Sequence, residues 1–207
     1  MPTNENDDES TTCSTKSLEV DMTSKLNVTL SPVEQLKRIF SHKGIEFRIH
    51  NFSSFRQSVE IPTIEALGNF EPNIINAIKS NDIMLLKMML RNGYIFKFCD
   101  DCGVTPMHTA CRLGNKEMAA FLRTEALIPL RIVDEVGRTP MHYVCCSDEC
   151  PDLEILEWLI SESPELILIS DEKNLVPLEY IDKRYWDVVN NLLKEIEHSF
   201  SPERMHF

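Results

Sequence analysis

A chain of 207 residues that is 43% apolar has material for one domain of ordinary size with tails. Its net charge of -12 repels phosphate and argues against nucleic acid as a partner. No apolar run approaches the ~18 residues of a membrane span, so no membrane partner is expected.

Residues 1–30 hold six acidic and two basic groups among Ser, Thr and Asn. So little apolar surface does not offset the entropy of ordering, and a disordered acidic tail is expected. Met1 to Ser10 shows no signal-peptide pattern, and the seven cysteines are an odd number. Both point to free thiols in a reducing compartment, cytoplasmic or nuclear.

Ser31-Pro32-Val33-Glu34 reads as a capping box with proline at the first helical position. Val33, Leu36, Ile39 and Phe40 then share one helical face, and Gly44 ends the helix. Ile45 to Ile49 alternates with period two, which predicts a short strand, and Phe52 and Phe55 add apolar weight. Residues 31–70 are therefore a helical flank, either a cap on an exposed end of the fold or a docking element.

A second helix begins at Glu71-Pro72-Asn73 and carries Ile74, Ile75, Ala77 and Ile78. Ser80-Asn81-Asp82 turns into a third, with Ile83, Leu85, Leu86, Met89 and Leu90 at helical spacing, closed by Gly93. Met84, Met88 and Met89 on this helix are expected in the core rather than on an adaptable binding surface.

The octet Gly103-Val104-Thr105-Pro106-Met107-His108-Thr109-Ala110 follows, and it recurs 34 positions later as Gly137-Arg138-Thr139-Pro140-Met141-His142-Tyr143-Val144. A weaker copy, Asn174-Leu175-Val176-Pro177-Leu178-Glu179-Tyr180-Ile181, comes 37 positions after the second. Thr105 and Thr139 are N-caps whose hydroxyls are expected to accept from first-turn amides. Pro106, Pro140 and Pro177 occupy the first helical position, where a missing N–H costs nothing. Gly103 and Gly137 suit a turn with positive φ, and Asp100 and Asp134, three residues earlier, suit carboxylates that bond local amides. Gly114-Asn115 ends one helix and caps the next, roughly Lys116 to Glu125. An insertion around 147–151 precedes a helix from Leu153 to Ser161, residues 186–197 close the series, and the last ten residues read as a frayed tail.

Repetition near 33 residues with a Thr-Pro-Leu-His-x-Ala core marks ankyrin repeats, and the two full octets resemble that family closely. The wording around Pro129-Leu130-Arg131 and Ser163-Pro164-Glu165-Leu166 is similar to ankyrin proteins of marine microalgae such as diatoms. The resemblance covers residues 71–197 and implies an all-α solenoid of helix-turn-helix units joined by hairpin-like turns. The units fall at about 71–99, 100–133, 134–170 and 171–197, with a tail over 198–207. Each is too small to bury its apolar face alone, so stability comes from neighbours.

The resemblance also implies a protein–protein scaffold or adaptor, with no catalysis, no cofactor and no small-molecule substrate. The acidity of the repeats favours a basic protein partner. The implied contact surface comprises turn tips and inner helices: Asp101, Cys102 and Val104 with Thr109, Arg112 and Leu113 in the first full unit. In the second it takes Glu135, Val136, Arg138, Tyr143 and Ser147; in the third Glu172, Lys173, Leu175 and Tyr180. Arg112, Arg138 and Tyr143 are the expected anchors, since Arg and Tyr are enriched at binding hot spots.

One other constellation competes. His108 and Cys111 are three apart, and His142 and Cys145 repeat the spacing, so two stacked helices would offer two nitrogens and two sulfurs to Zn²⁺, or a redox sensor. A single repeat explains both spacings at once, with structural histidines and with cysteines as small apolar groups, and that reading is preferred. Cys99-Asp100-Asp101-Cys102 is a CxxC on a predicted hairpin rather than at a helix N-terminus, where a reactive thiol belongs. The six glycines form no phosphate-binding or dinucleotide pattern.

Overall fold

The structure, a computed structural model, describes residues 29–55, 71–146 and 149–205. Of the expected tail over 1–30 only Thr29 and Leu30 are among them, and the second half of the flank and Ser147 lie outside.

The first helix, α1 (Pro32–Lys43), starts where the capping box placed it. Ser31 Oγ accepts from the Glu34 amide at 3.2 Å, and the Ser31 amide donates back to Glu34 Oε2 at 2.9 Å. Val33, Leu36, Ile39 and Phe40 are all buried. The chain then passes through a two-residue strand, β1 (His50–Asn51), and a 3-10 turn, Phe52–Phe55.

Three helix pairs follow: α2 (Pro72–Lys79) with α3 (Ile83–Arg91), α4 (Pro106–Arg112) with α5 (Lys116–Thr124), and α6 (Pro140–Cys145) with α7 (Leu153–Glu162). A fourth unit pairs the 3-10 turn Pro177–Tyr180 with α8 (Trp186–Glu195). The prolines open α4, α6 and the turn as expected. Asp82, Asn115 and Asp152 cap α3, α5 and α7, each accepting a first-turn amide. The fourth unit stays a single 3-10 turn because Ile181 is extended, held there by Trp186 Nε1 donating to its carbonyl at 3.1 Å.

α2 packs on α4, α4 on α6 and α6 on the Pro177–Tyr180 turn, while α5 packs on α7 and α7 on α8. One continuous core runs through these layers, from Ile74 and Leu86 at one end to Leu193 and Phe200 at the other. Apolar faces thus find partners in the neighbouring unit as well as within their own. Among the described residues no helix is long and apolar enough to cross a membrane.

One expectation becomes specific here and two change. α1 packs against α8 and the Pro177–Tyr180 turn, so the N-terminal flank closes the C-terminal end of the stack. Asn190 Nδ2 donates to the Leu30 carbonyl at 2.8 Å, and Thr29 Oγ1 to Asp187 Oδ1 at 3.0 Å, which fixes that docking. The segment 45–49 is not a strand. Pairing begins only at His50 and Asn51, parallel to β2 (Ile169–Ser170), because that is where a neighbouring backbone offers free groups. Residues 198–205 are not a frayed tail: Phe200 is buried, with its ring edge-on to Phe40 at 5.4 Å, and Ser199 and Met205 are buried too.

The flank also touches the turns. Asn51 Nδ2 donates to Asn174 Oδ1 at 3.1 Å, and a Cβ at Gly137 would lie 2.4 Å from the Phe52 ring. Gly137 has φ +81°, and Gly93, at φ +82°, has nothing within 4 Å of the same position. Gly93→Ala should therefore cost only the left-handed backbone, about 1–2 kcal/mol. Gly137→Ala should cost more, by displacing Phe52 as well. Equal shifts in urea midpoint for the two variants would refute the Phe52 contact.

Candidate interaction surface

Each turn tip rests on one aspartate. Asp100 Oδ1 accepts from the amides of Cys102 (3.0 Å) and Val104 (2.9 Å), Asp134 Oδ1 from Val136 (3.0 Å) and Arg138 (2.8 Å), and Asp171 Oδ1 from Lys173 (2.9 Å) and Leu175 (3.1 Å). Gly103, Gly137 and Asn174 take the positive φ of each turn, at 77°, 81° and 59°. Asn tolerates that region better than other side chains, which is why the weak third octet still makes its turn. The tips are joined rung to rung: the Glu135 amide donates to the Cys102 carbonyl at 3.1 Å, and the Glu172 amide to the Val136 carbonyl at 2.9 Å.

The second oxygen of two of these aspartates is held by a tyrosine nine residues on. Tyr143 Oη donates to Asp134 Oδ2 at 2.9 Å, and Tyr180 Oη donates to Asp171 Oδ2. Burial and the carboxylate partner raise both phenols, Tyr180 to about 12. Burial raises the Asp134 carboxyl. Burial alone would raise Asp171 too, but hydrogen bonds from Tyr180, Leu175 and Lys173 outweigh it and leave this carboxyl low. Arg138 lies between the two units, with Nε 3.7 Å from Asp171 Oδ2 and the guanidinium 5.4 Å from the Tyr180 ring centre.

The histidines tie each unit to the next. His108 Nδ1 accepts from the Thr105 amide at 3.2 Å and lies 2.9 Å from the Thr105 hydroxyl. With Nδ1 accepting, the ring proton sits on Nε2, which donates to the Arg138 carbonyl at 3.1 Å. His142 repeats this with Thr139 (3.0 Å) and the Leu175 carbonyl (3.2 Å). Thr105 and Thr139 hold the N-cap positions of α4 and α6, with their hydroxyls beside the imidazoles. Glu179 takes the histidine's place in the third octet, and its carboxylate accepts from the Val176 amide at 2.7 Å.

This geometry removes the zinc reading of His108/Cys111 and His142/Cys145. Both nitrogens of each ring are committed, whereas a metal needs a bare lone pair. Cys111 and Cys145 are buried between helices, and burial pushes their thiols up, away from the thiolate a metal or redox site requires. No group of three or more His, Cys, Asp or Glu among the described residues is placed to hold a metal ion. In the CxxC, Cys99 is buried and its thiol is also raised by burial, while Cys102 sits exposed on a tip.

The expected contact residues divide into three groups. Asp101, Cys102, Glu135, Val136, Glu172 and Lys173 are exposed on consecutive tips, and Arg112 and Leu113 are exposed at the end of α4. Val104 and Leu175 are half-buried. Thr109 is only 4% exposed, because its position on α4 turns into the helix stack, and it is not a surface residue. Arg138, Tyr143 and Tyr180, also half-buried, belong to the aspartate network. Sequence reasoning missed that network, although an Asp followed nine positions later by Tyr occurs in both later units and was a visible signal.

A family model described as ankyrin repeats, in three copies, matches residues 74–170. No curated protein matches the chain. The matched segment runs from within α2 through α7 and contains both Thr-Pro-Met-His octets and two of the three aspartate-held tips. Residues 74–170 of this chain belong to the ankyrin repeat family.

Proposed function

We propose that this protein is a scaffold or adaptor that holds a basic segment of a partner protein across its turn tips. Ankyrin repeats are generally protein–protein interaction modules and typically not enzymes. The observation that carries the specific reading is the row of exposed carboxylates Asp101, Glu135 and Glu172, one per consecutive tip. Backbone rungs and the aspartates Asp100, Asp134 and Asp171 hold these tips in place, so a partner orders little on binding. Leu113 and Val136 add exposed apolar surface beside the charges, and Arg112 is the exposed anchor.

A partner captured by affinity purification provides the test. Its affinity should fall roughly tenfold or more for D101K/E135K/E172K and lose its dependence on salt. Unchanged affinity in the triple variant would reject this placement. Arg138→Ala with Tyr143→Ala is a weaker test, because both side chains position the tips and their loss disturbs the scaffold itself.

A further inference from the structure

The two ends of the repeat stack are finished differently. At the C-terminal end, α1 lies over α8 and buries Phe40 against Phe200. At the other end α3 presents Met84 (72% exposed) and Met88 (53%), four residues apart on one helical face, with Tyr94 and Ile95 exposed just beyond. The expectation that these methionines are core holds for Met89 alone.

Charge distinguishes this end as well. Residues 72–98 carry four basic groups, Lys79, Lys87, Arg91 and Lys97, and one acidic group, Asp82, in a chain whose net charge is -12. Asp82 is committed to capping α3. Lys87 is paired with Glu125 at 3.0 Å, whereas Lys79, Arg91 and Lys97 are exposed.

We propose that the exposed α2–α3 end is a second docking surface that receives an acidic amphipathic helix of a partner protein. Helix-on-helix packing is how every later unit is covered, and a stripe of two methionines on a nine-residue helix fits the apolar face of one more helix. Methionine is unbranched and adapts to the shape laid on it. A second copy of the chain is disfavoured, because a two-fold contact would bring the same basic groups face to face. An anionic membrane is disfavoured by the acidity of the rest of the chain.

The test uses the full chain labelled with ¹³C at its methionine methyls. The probe is a synthetic peptide of about five helical turns, with Leu at every third or fourth position and Glu and Ala elsewhere. Titration should shift the Met84 and Met88 methyls and leave the buried Met107 and Met141 unmoved. A twin peptide with Lys for Glu should not bind, and M84S/M88S should weaken binding about tenfold. Four results would overturn the proposal: no binding of the acidic peptide, equal binding of its basic twin, shifts confined to other methionines, or unchanged affinity in M84S/M88S. Broadening of Met84 and Met88 on concentrating the protein alone, or on adding phosphatidylserine vesicles, would assign the face to a second copy or to a membrane instead. The D101K/E135K/E172K variant should bind the acidic peptide normally, which separates this surface from the one on the turn tips.

Discussion

Replacing Phe40 with alanine should lower the free energy of unfolding by about 3–5 kcal/mol, the range for large-to-small changes in a packed core. The residue sits in a helix that sequence alone would class as a flank, where substitutions usually change stability by less than about 0.5 kcal/mol. Its ring is fully buried, 5.4 Å from Phe200 and 6.0 Å from Phe47, so one side chain joins α1, the extended segment after it and the C-terminal turns. Removing it opens a cavity between the first and last elements of the described chain. Trp186 at the start of α8 reports on the same end of the stack, and its fluorescence should show the urea midpoint fall. A change below about 0.5 kcal/mol would mean that α1 does not close this end. Phe200→Ala should reproduce much of the loss, and the double variant should cost less than the sum, since both remove one contact.

Acidification from pH 7 to pH 5 should remove about 4 kcal/mol of stability, because two histidines are buried neutral. Burial holds His108 down to about 3 and His142 down to about 4, against 6.5 in the unfolded chain. Both folded values are depressed, so the stabilisation is complete above the unfolded value and is lost as pH falls. In that window the unfolded chain takes up protons and the folded chain does not. Each histidine then loses about 1.4 kcal/mol per pH unit, and the loss levels off only as pH drops through the folded values. His50, lowered mainly by burial, acts in the same direction, while Asp134, raised by burial, acts in the opposite one. Urea titrations between pH 7 and 5 follow this loss. His142→Gln should roughly halve the slope of stability against pH, whatever it does to absolute stability. A slope that stays the same would place the proton uptake elsewhere. The loss is a large part of the ~5–15 kcal/mol that holds an ordinary domain together, so the stack is expected to loosen at mildly acidic pH.

The same histidines explain why two His-x-x-Cys spacings carry no metal chemistry. Each ring spends one nitrogen on its own turn and the other on the carbonyl of the next unit. A zinc site would break those bonds, which help to join adjacent repeats.

Sequence by itself determined whatever depends on a few neighbouring residues. The capping box of α1, the proline starts, the aspartate-held tips, the left-handed turn residues and the 34-residue period all follow from bonds spanning four positions or fewer, repeated. Tertiary structure alone decided where long-range partners came from. An amphipathic helix such as α1 announces that it needs a partner without naming one, and only packing showed that the partner is α8 at the far end of the chain. In the same way, the apolar character of Met84 and Met88 did not reveal that their face is left open, nor that of Phe200 that it is buried. Thr109, Arg138 and Tyr143 matched surface positions by register, yet their exposure is set by residues nine to thirty-three positions away, whose approach no local pattern encodes.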